Sequence, residues 1–135
     1  MTVILEYREI LSTGIKKIDD QHKKLYQLIN DLFTACVNGY DKEMISTILS
    51  DLAEYIDVHF KDEEDIMQSV GYSDFLIHKS EHDKFYSLVV GILKEYELTG
   101  VTDNLINDTK KLLVDWLLSH LNHFDKKLAI FIKSQ

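Results

Sequence analysis

His59-Phe60-Lys61-Asp62-Glu63 and, after a short gap, His78-Lys79-Ser80-Glu81-His82 are the stretches on which the reading of this chain turns. Each sets two metal-capable side chains four positions apart. On a helix, residues i and i+4 share a face, separated by about 40° and one turn. His59 and Glu63 therefore project together, and so do His78 and His82. Two further histidines, His22 and His120, fall on apolar faces elsewhere, and Asp125 follows His120 by five. The rest of the chain reads as a scaffold that brings these seven side chains to one place.

Outward from these stretches, apolar residues recur at three- and four-residue steps, the period of an amphipathic helix. Ile45, Ile48, Leu49, Leu52, Ile56, His59, Glu63, Ile66 and Met67 make one stripe and predict a helix over 41–69. Phe75, His78, His82, Phe85, Val89, Ile92 and Tyr96 predict a helix over 74–98, capped by Ser73 or Asp74, with Gly91 tolerated for close packing. His22, Leu25, Ile29, Leu32, Phe33 and Cys36 predict a first helix over 19–38, with Asp19 and Asp20 at its positive end. Leu105, Leu112, Leu113, Trp116, Leu117, His120, Leu121 and Phe124 predict a fourth over 102–133. Residues 1–18 form an arm whose Ile4, Leu5 and Tyr7 can cover apolar surface. Gly39, Gly71 and Gly100 lie where helices should stop, and there is no proline to break them. The expectation is all-α: a single domain over 1–135, built as an up-down-up-down four-helix bundle with an N-terminal arm.

Lengths test whether that topology suits the histidines. At 1.5 Å per residue, His22 lies about 5 Å into the first helix, and His59 and Glu63 about 9–15 Å before the end of the second. His78 and His82 lie about 6–12 Å into the third, and His120 and Asp125 about 12–20 Å before the end of the fourth. In an antiparallel bundle all four places belong to the same end.

Composition excludes other classes. The net charge of −8 argues against nucleic acid and against anionic membrane surfaces. No apolar run is long enough for a transmembrane helix, and the first residues lack the basic and apolar regions of a signal peptide. The single cysteine, Cys36, cannot form an internal disulfide, reads as a small buried apolar residue, and fits a reducing, cytoplasmic setting.

A lone histidine on an apolar helix face is ordinarily a hydrogen-bonded core residue. Here five of the six histidines fall on core faces. Packed together without a cation they would carry unsatisfied nitrogens in a low-dielectric site, and Glu63 and Asp125 beside them would cost more still. A bound cation removes both costs. Seven ligands exceed what one ordinary transition-metal ion takes, so two ions are implied. Histidine with carboxylate suits iron, manganese or zinc, and the lack of clustered Cys argues against structural zinc. The spacing of five between His120 and Asp125 sets them about 140° apart on a regular helix, so a π-type irregularity is predicted there. His123 falls outside the set and reads as exposed. Glu64, turned about 100° from Glu63, reads as solvated.

These residues carry a resemblance. Asp20-Gln21-His22, His59-Phe60 with Glu63-Glu64 and Met67, His78 and His82, and Trp116-Leu117 before His120 and Asp125 are together similar to the hemerythrin family, most of all its single-domain bacterial members. The likeness runs from the arm to Asp125, although many bacterial members carry Trp where this arm has Tyr7. It implies a non-haem di-iron centre with an oxo or hydroxo bridge. His78, His82 and His120 would bind one iron, His22 and His59 the other, and Glu63 and Asp125 would bridge them. The remaining coordination position, on the iron with two histidines, is where dioxygen would bind. Leu25, Phe60, Trp116, Leu117 and Leu121 would line the dioxygen pocket. The implied function is reversible dioxygen binding for storage, delivery or sensing, not enzymatic, with a redox partner for re-reduction. The alternatives are a di-iron oxidase or peroxidase, and a module that signals in response to nitric oxide or oxygen. Five imidazoles point towards binding, since di-iron oxidases generally use more carboxylates. That the chain ends soon after Asp125 favours a carrier or buffer over a sensor with an output module.

Overall fold

The computed structural model describes residues 12–39 and 41–135, apart from the side chains of Leu112, Leu113 and Leu121. The predicted arm packing by Ile4, Leu5 and Tyr7 lies outside the described residues. The fold is an all-α bundle. Three helices run α1 Lys16–Val37, α2 Lys42–Ser69 and α3 Phe75–Thr99, followed by a fourth helical run over 103–133. α1 packs on α2, α2 on α3, and α3 on the fourth helix.

α1 starts three residues before the predicted position, which shortens the arm. Asp19 therefore sits inside the first turn, and its carboxylate takes on a different task. It accepts hydrogen bonds from Thr13 N–H and Thr13 Oγ1, both at 2.8 Å, from Ser12 Oγ at 2.7 Å and from Gly14 N–H at 3.2 Å. Burial works to raise its pKa, but these hydrogen bonds outweigh it and hold the group below its ordinary value. Asp41 caps α2 by accepting from Met44 N–H at 2.8 Å, and Thr102 caps the fourth helix by accepting from Leu105 N–H at 3.0 Å. Asp74 stands at the N-cap of α3 but makes no capping bond; its carboxylate is taken by Lys127 Nζ of the fourth helix.

The turn after α2 determines how closely the two quoted stretches approach. Gly71 takes φ +66°. Its N–H donates to Gln68 O at 3.2 Å, and Tyr72 N–H donates to Met67 O at 2.9 Å. This pair of bonds is the Schellman ending, and its usual apolar contact is present, because Tyr72 and Met67 belong to one small core with Leu128. Only a residue that tolerates positive φ can stop the helix this way, so α3 begins within a few residues of α2. The larger core fills the other side of the bundle, with Leu25, Phe33, Leu52, Ile56, Phe60, Phe85 and Leu117 among its members. The polar cluster lies between the two.

The fourth helix is one continuous run, but it is not regular. α-Helical segments Asp103–Thr109, Trp116–His120 and Lys126–Lys133 alternate with π-helical segments Lys110–Asp115 and Leu121–Asp125. Its buried residues explain why. Among the described side chains, Leu105, Thr109, Val114, Leu117, His120, Asp125 and Leu128 follow one another by three or four residues, except for two steps of five, Thr109 to Val114 and His120 to Asp125, and Ala129 is buried beside Leu128. A step of five stays on one face only where the hydrogen bonds run i to i+5, and each such step coincides with a π segment. The predicted irregularity between His120 and Asp125 is thus present, and a second one precedes it.

Gly91 departs from expectation. It is exposed, and a methyl group added there would meet nothing within 4 Å, so close packing does not account for it. In an exposed helix interior, glycine costs about 1 kcal/mol relative to alanine. Gly91→Ala is expected to stabilise the protein by about that much in urea denaturation; a loss of stability would show that something packs there.

Candidate metal centre

Seven buried side chains from all four helices converge between the two cores. His22 comes from α1, His59 and Glu63 from α2, His78 and His82 from α3, and His120 and Asp125 from the fourth helix, each at most 2% exposed. Their donor atoms form two groups that share both carboxylates. Glu63, His78, His82, His120 and Asp125 make one; His22, His59, Glu63 and Asp125 make the other.

Within the groups every imidazole presents Nε2, and each carboxylate divides its oxygens between them. Glu63 Oε1 lies 2.8 Å from His78 Nε2 and 3.2 Å from His82 Nε2, while Oε2 lies 3.4 Å from His59 Nε2. Asp125 Oδ1 lies 3.0 Å from His78 Nε2 and 2.9 Å from His120 Nε2, while Oδ2 lies 2.9 Å from His22 Nε2. The π segment makes the last arrangement possible, since it turns Asp125 back beneath His120.

Proximity here is not satisfaction. Both nitrogens of His22, both oxygens of Glu63, His82 Nε2 and Asp125 Oδ2 are fully buried and make no hydrogen bond among the described residues. His78 Nε2 also faces His120 Nε2 at 3.3 Å. Buried polar atoms are nearly always paired, so lone pairs crowded this densely need a cation or protons. The donor set, neutral nitrogen with carboxylate oxygen, fits a borderline transition-metal ion, and two such ions divide it without remainder.

Two side chains outside this set hold imidazoles in place. Gln21 Oε1 accepts from His59 Nδ1 at 2.6 Å, and Glu64 Oε2 accepts from His82 Nδ1 at 2.8 Å. Glu64 is therefore not solvated as its sequence position suggests: its side chain is 16% exposed and bonded to His82. In a bundle, a residue turned about 100° from the core face points at the neighbouring helix rather than at water. Gln21 stood in the sequence beside His22, and that adjacency was the available signal for it.

Aromatic rings back the cluster. Phe60 stacks on His82 with centroids 3.9 Å apart, Trp116 on His120 at 4.6 Å, and Phe85 on Trp116 at 4.0 Å. Leu25 and Leu117 are buried alongside, Trp116 is partly buried, and His123 is exposed. The Leu121 side chain lies outside the described residues.

The electrostatics show what the bare cluster must do. Burial pushes His59 down to about 4, and burial with His120 and His78 beside it pushes His82 down to about 3. Burial also disfavours the charged form of His78, but Asp125 and Glu63 outweigh it and raise the group to about 9. Burial and the Asp125 charge raise Glu63. Asp125 is buried too, yet His120, His22 and His78 hold it well below its ordinary value. Without a cation, then, the positive charge that balances the carboxylates comes from protons.

A pH dependence follows for metal-free protein. A depressed imidazole is protonated first in the unfolded chain, so its stabilisation is present above 6.5 and is lost as pH falls towards about 4 for His59 and about 3 for His82. Asp125, also depressed, adds to the loss at the acid end. His78 runs the other way: its contribution is present below 6.5 and is lost as pH rises towards about 9. Glu63, also raised, opposes the two depressed imidazoles, one group against two. The urea midpoint of metal-free protein is expected to rise from pH 4 to 6.5 and to fall again towards pH 9. A midpoint flat across that range would mean that these imidazoles are not buried as described.

Comparison with known proteins adds a likeness. The family model for the hemerythrin HHE cation binding domain matches residues 13–129. The chain is 36% identical over 114 residues to a bacteriohemerythrin of Methylococcus capsulatus, covering 84% of this chain and 85% of that one. It is 32% identical over 127 residues to a bacteriohemerythrin of Clostridium acetobutylicum, covering 90% and 95%. A crystal structure of wild-type hemerythrin superposes with a TM-score of 0.82 at 32% identity, covering 93% of this chain and 95% of that one.

Proposed function

The chain belongs to the hemerythrin family, and on that premise we propose that it binds dioxygen reversibly at a non-haem di-iron centre, for storage, delivery or sensing of the gas. His78, His82 and His120 would hold one iron, His22 and His59 the other, and Glu63 and Asp125 would span both. The observation that carries this reading is the division of each carboxylate, one oxygen towards each histidine group. A structural pairing of acids with histidines gives no reason for that pattern. An iron pair would supply reversible electron donation to dioxygen.

The chain's own residues favour binding over turnover. Gln21 and Glu64 accept from the Nδ1–H of His59 and His82, which leaves the Nε2 lone pairs of those rings facing inward. The group with His22 and His59 offers one imidazole fewer than its neighbour, which favours it as the place for an exogenous ligand. Leu25, Phe60, Trp116 and Leu117, with Leu121 by position, would line the pocket. None of them offers a carboxylate, imidazole or amine to protonate a bound gas, and together they exclude bulk water. We also assign the protein to a reducing, cytoplasmic compartment, supported by its lone free cysteine, and expect a redox partner to re-reduce the centre. The net charge of −8 argues against a nucleic-acid partner, and no described helix is long and apolar enough to cross a membrane.

The test is to measure iron per chain, then deoxygenate the reduced protein and re-expose it to air while recording visible absorption. A charge-transfer band that appears and disappears over repeated cycles supports the proposal. Irreversible bleaching, or sustained turnover with peroxide, would move the protein to the redox-enzyme reading.

A further inference from the structure

Of the five buried imidazoles, two have a side-chain partner on Nδ1, one in each histidine group, and the partners differ in charge. His82 donates to a carboxylate, Glu64, and His59 to an amide, Gln21. The Gln21 orientation is determined by its other end. Its NH2 donates to Asp62 Oδ2 at 2.9 Å, and a carboxylate can only accept, so Oε1 must face His59. Asp62 in turn lies 3.8 Å from Lys17 Nζ. The Nδ1 atoms of His22, His78 and His120 make no hydrogen bond among the described residues.

We infer that Glu64 and Gln21 are positioning residues that make the two metal positions unequal: the carboxylate behind His82 strengthens the three-histidine position, and the amide behind His59 leaves the two-histidine position the weaker holder. This rests on the di-iron reading above. An imidazole that donates to a carboxylate takes on imidazolate character and becomes a stronger metal donor; one that donates to a neutral amide gains less. The asymmetry adds to the difference in imidazole count and runs in the same direction. The position proposed to meet dioxygen is thus the one whose ion is held less firmly, and the other serves as the anchor.

Isosteric changes test this without emptying the site. Glu64 borders a cleft of about 380 Å³ between α2 and α3, so Glu64→Gln alters charge and not packing. Its amide oxygen still accepts from His82 Nδ1. The mirror change is Gln21→Glu together with Asp62→Asn, which exchanges amide and carboxylate at constant shape. Iron-loaded protein is challenged with a chelator, release is followed in time, and the midpoint potential is measured alongside. The parent is expected to release iron in two phases. Glu64→Gln should speed the slow phase about tenfold, leave the fast phase alone and raise the potential. The double variant should slow the fast phase about tenfold and lower the potential. Metal-free melting temperatures of all three should agree, which a merely structural role for Glu64 would not allow. Release in a single phase from the parent, or equal acceleration of both phases by Glu64→Gln, overturns the inference and leaves the di-iron centre standing. A parent that takes up no iron overturns both.

Discussion

Asp125→Ala is expected to empty both proposed metal positions at once, taking bound iron to below about a tenth of the parent's content, since removal of even an outer partner costs about 10- to 100-fold in affinity. The expectation comes from the reach of this one side chain. Oδ1 stands 3.0 Å from His78 Nε2 and 2.9 Å from His120 Nε2, and Oδ2 stands 2.9 Å from His22 Nε2 on the opposite side. Among the described residues, the fourth helix brings no second carboxylate into either donor group. The metal-free protein should weaken as well. His78 is held protonated largely by Asp125 and Glu63, and removing one partner of a buried ion pair costs about 3–5 kcal/mol. His120→Ala serves as the comparison. It removes one imidazole from one group, so it should remove about half of the iron or all of it, depending on whether the second position survives alone. Iron content measured by plasma emission, with urea unfolding of the metal-free variants, checks both. Full iron retention by Asp125→Ala would overturn the shared-carboxylate arrangement.

Phe85→Ala should cost the fold about 3–5 kcal/mol without touching a donor of the cluster. Phe85 is 1% exposed and stacks on Trp116, which stacks in turn on His120. Removing the ring leaves a cavity at the junction of α3 with the fourth helix and takes away the surface that holds the Trp116 indole. Against a total of about 5–15 kcal/mol for a domain of this kind, the loss is a large fraction. The midpoint of urea unfolding for metal-free protein reads the stability. Tryptophan fluorescence reads the indole directly, since Trp116 is the sole tryptophan. A change under about 1 kcal/mol would mean that the neighbouring side chains close the cavity by relaxation.

Much of the bundle was legible before any coordinates. Stripes at three- and four-residue steps are local facts about a chain, and they marked the helices and the faces that turn inward. The stops at Gly71 and Gly100 were equally local, because each satisfies backbone groups within a few residues of itself; the cap expected at Ser73 or Asp74 was not, since the Asp74 carboxylate is taken by Lys127. The step of five between His120 and Asp125 even exposed a π segment, since two inward residues cannot be that far apart on a regular helix. The companion segment at Lys110–Asp115 went unseen because Leu112 and Leu113 offered an apolar continuation that made the stripe look regular, and nothing local marked Val114 as a buried residue.

By itself, then, the sequence determined four amphipathic helices and the chemical identity of the inward-facing donors, because helical periodicity is written into neighbouring residues. Only the tertiary structure decided how those donors divide, which oxygen of Glu63 and Asp125 faces which histidines, and that Glu64 and Gln21 stand behind His82 and His59. Those relations depend on the rotation and axial register of one helix against another. Residues 38 and 41 positions apart carry no local record of either, and a single helix has no means of specifying them alone.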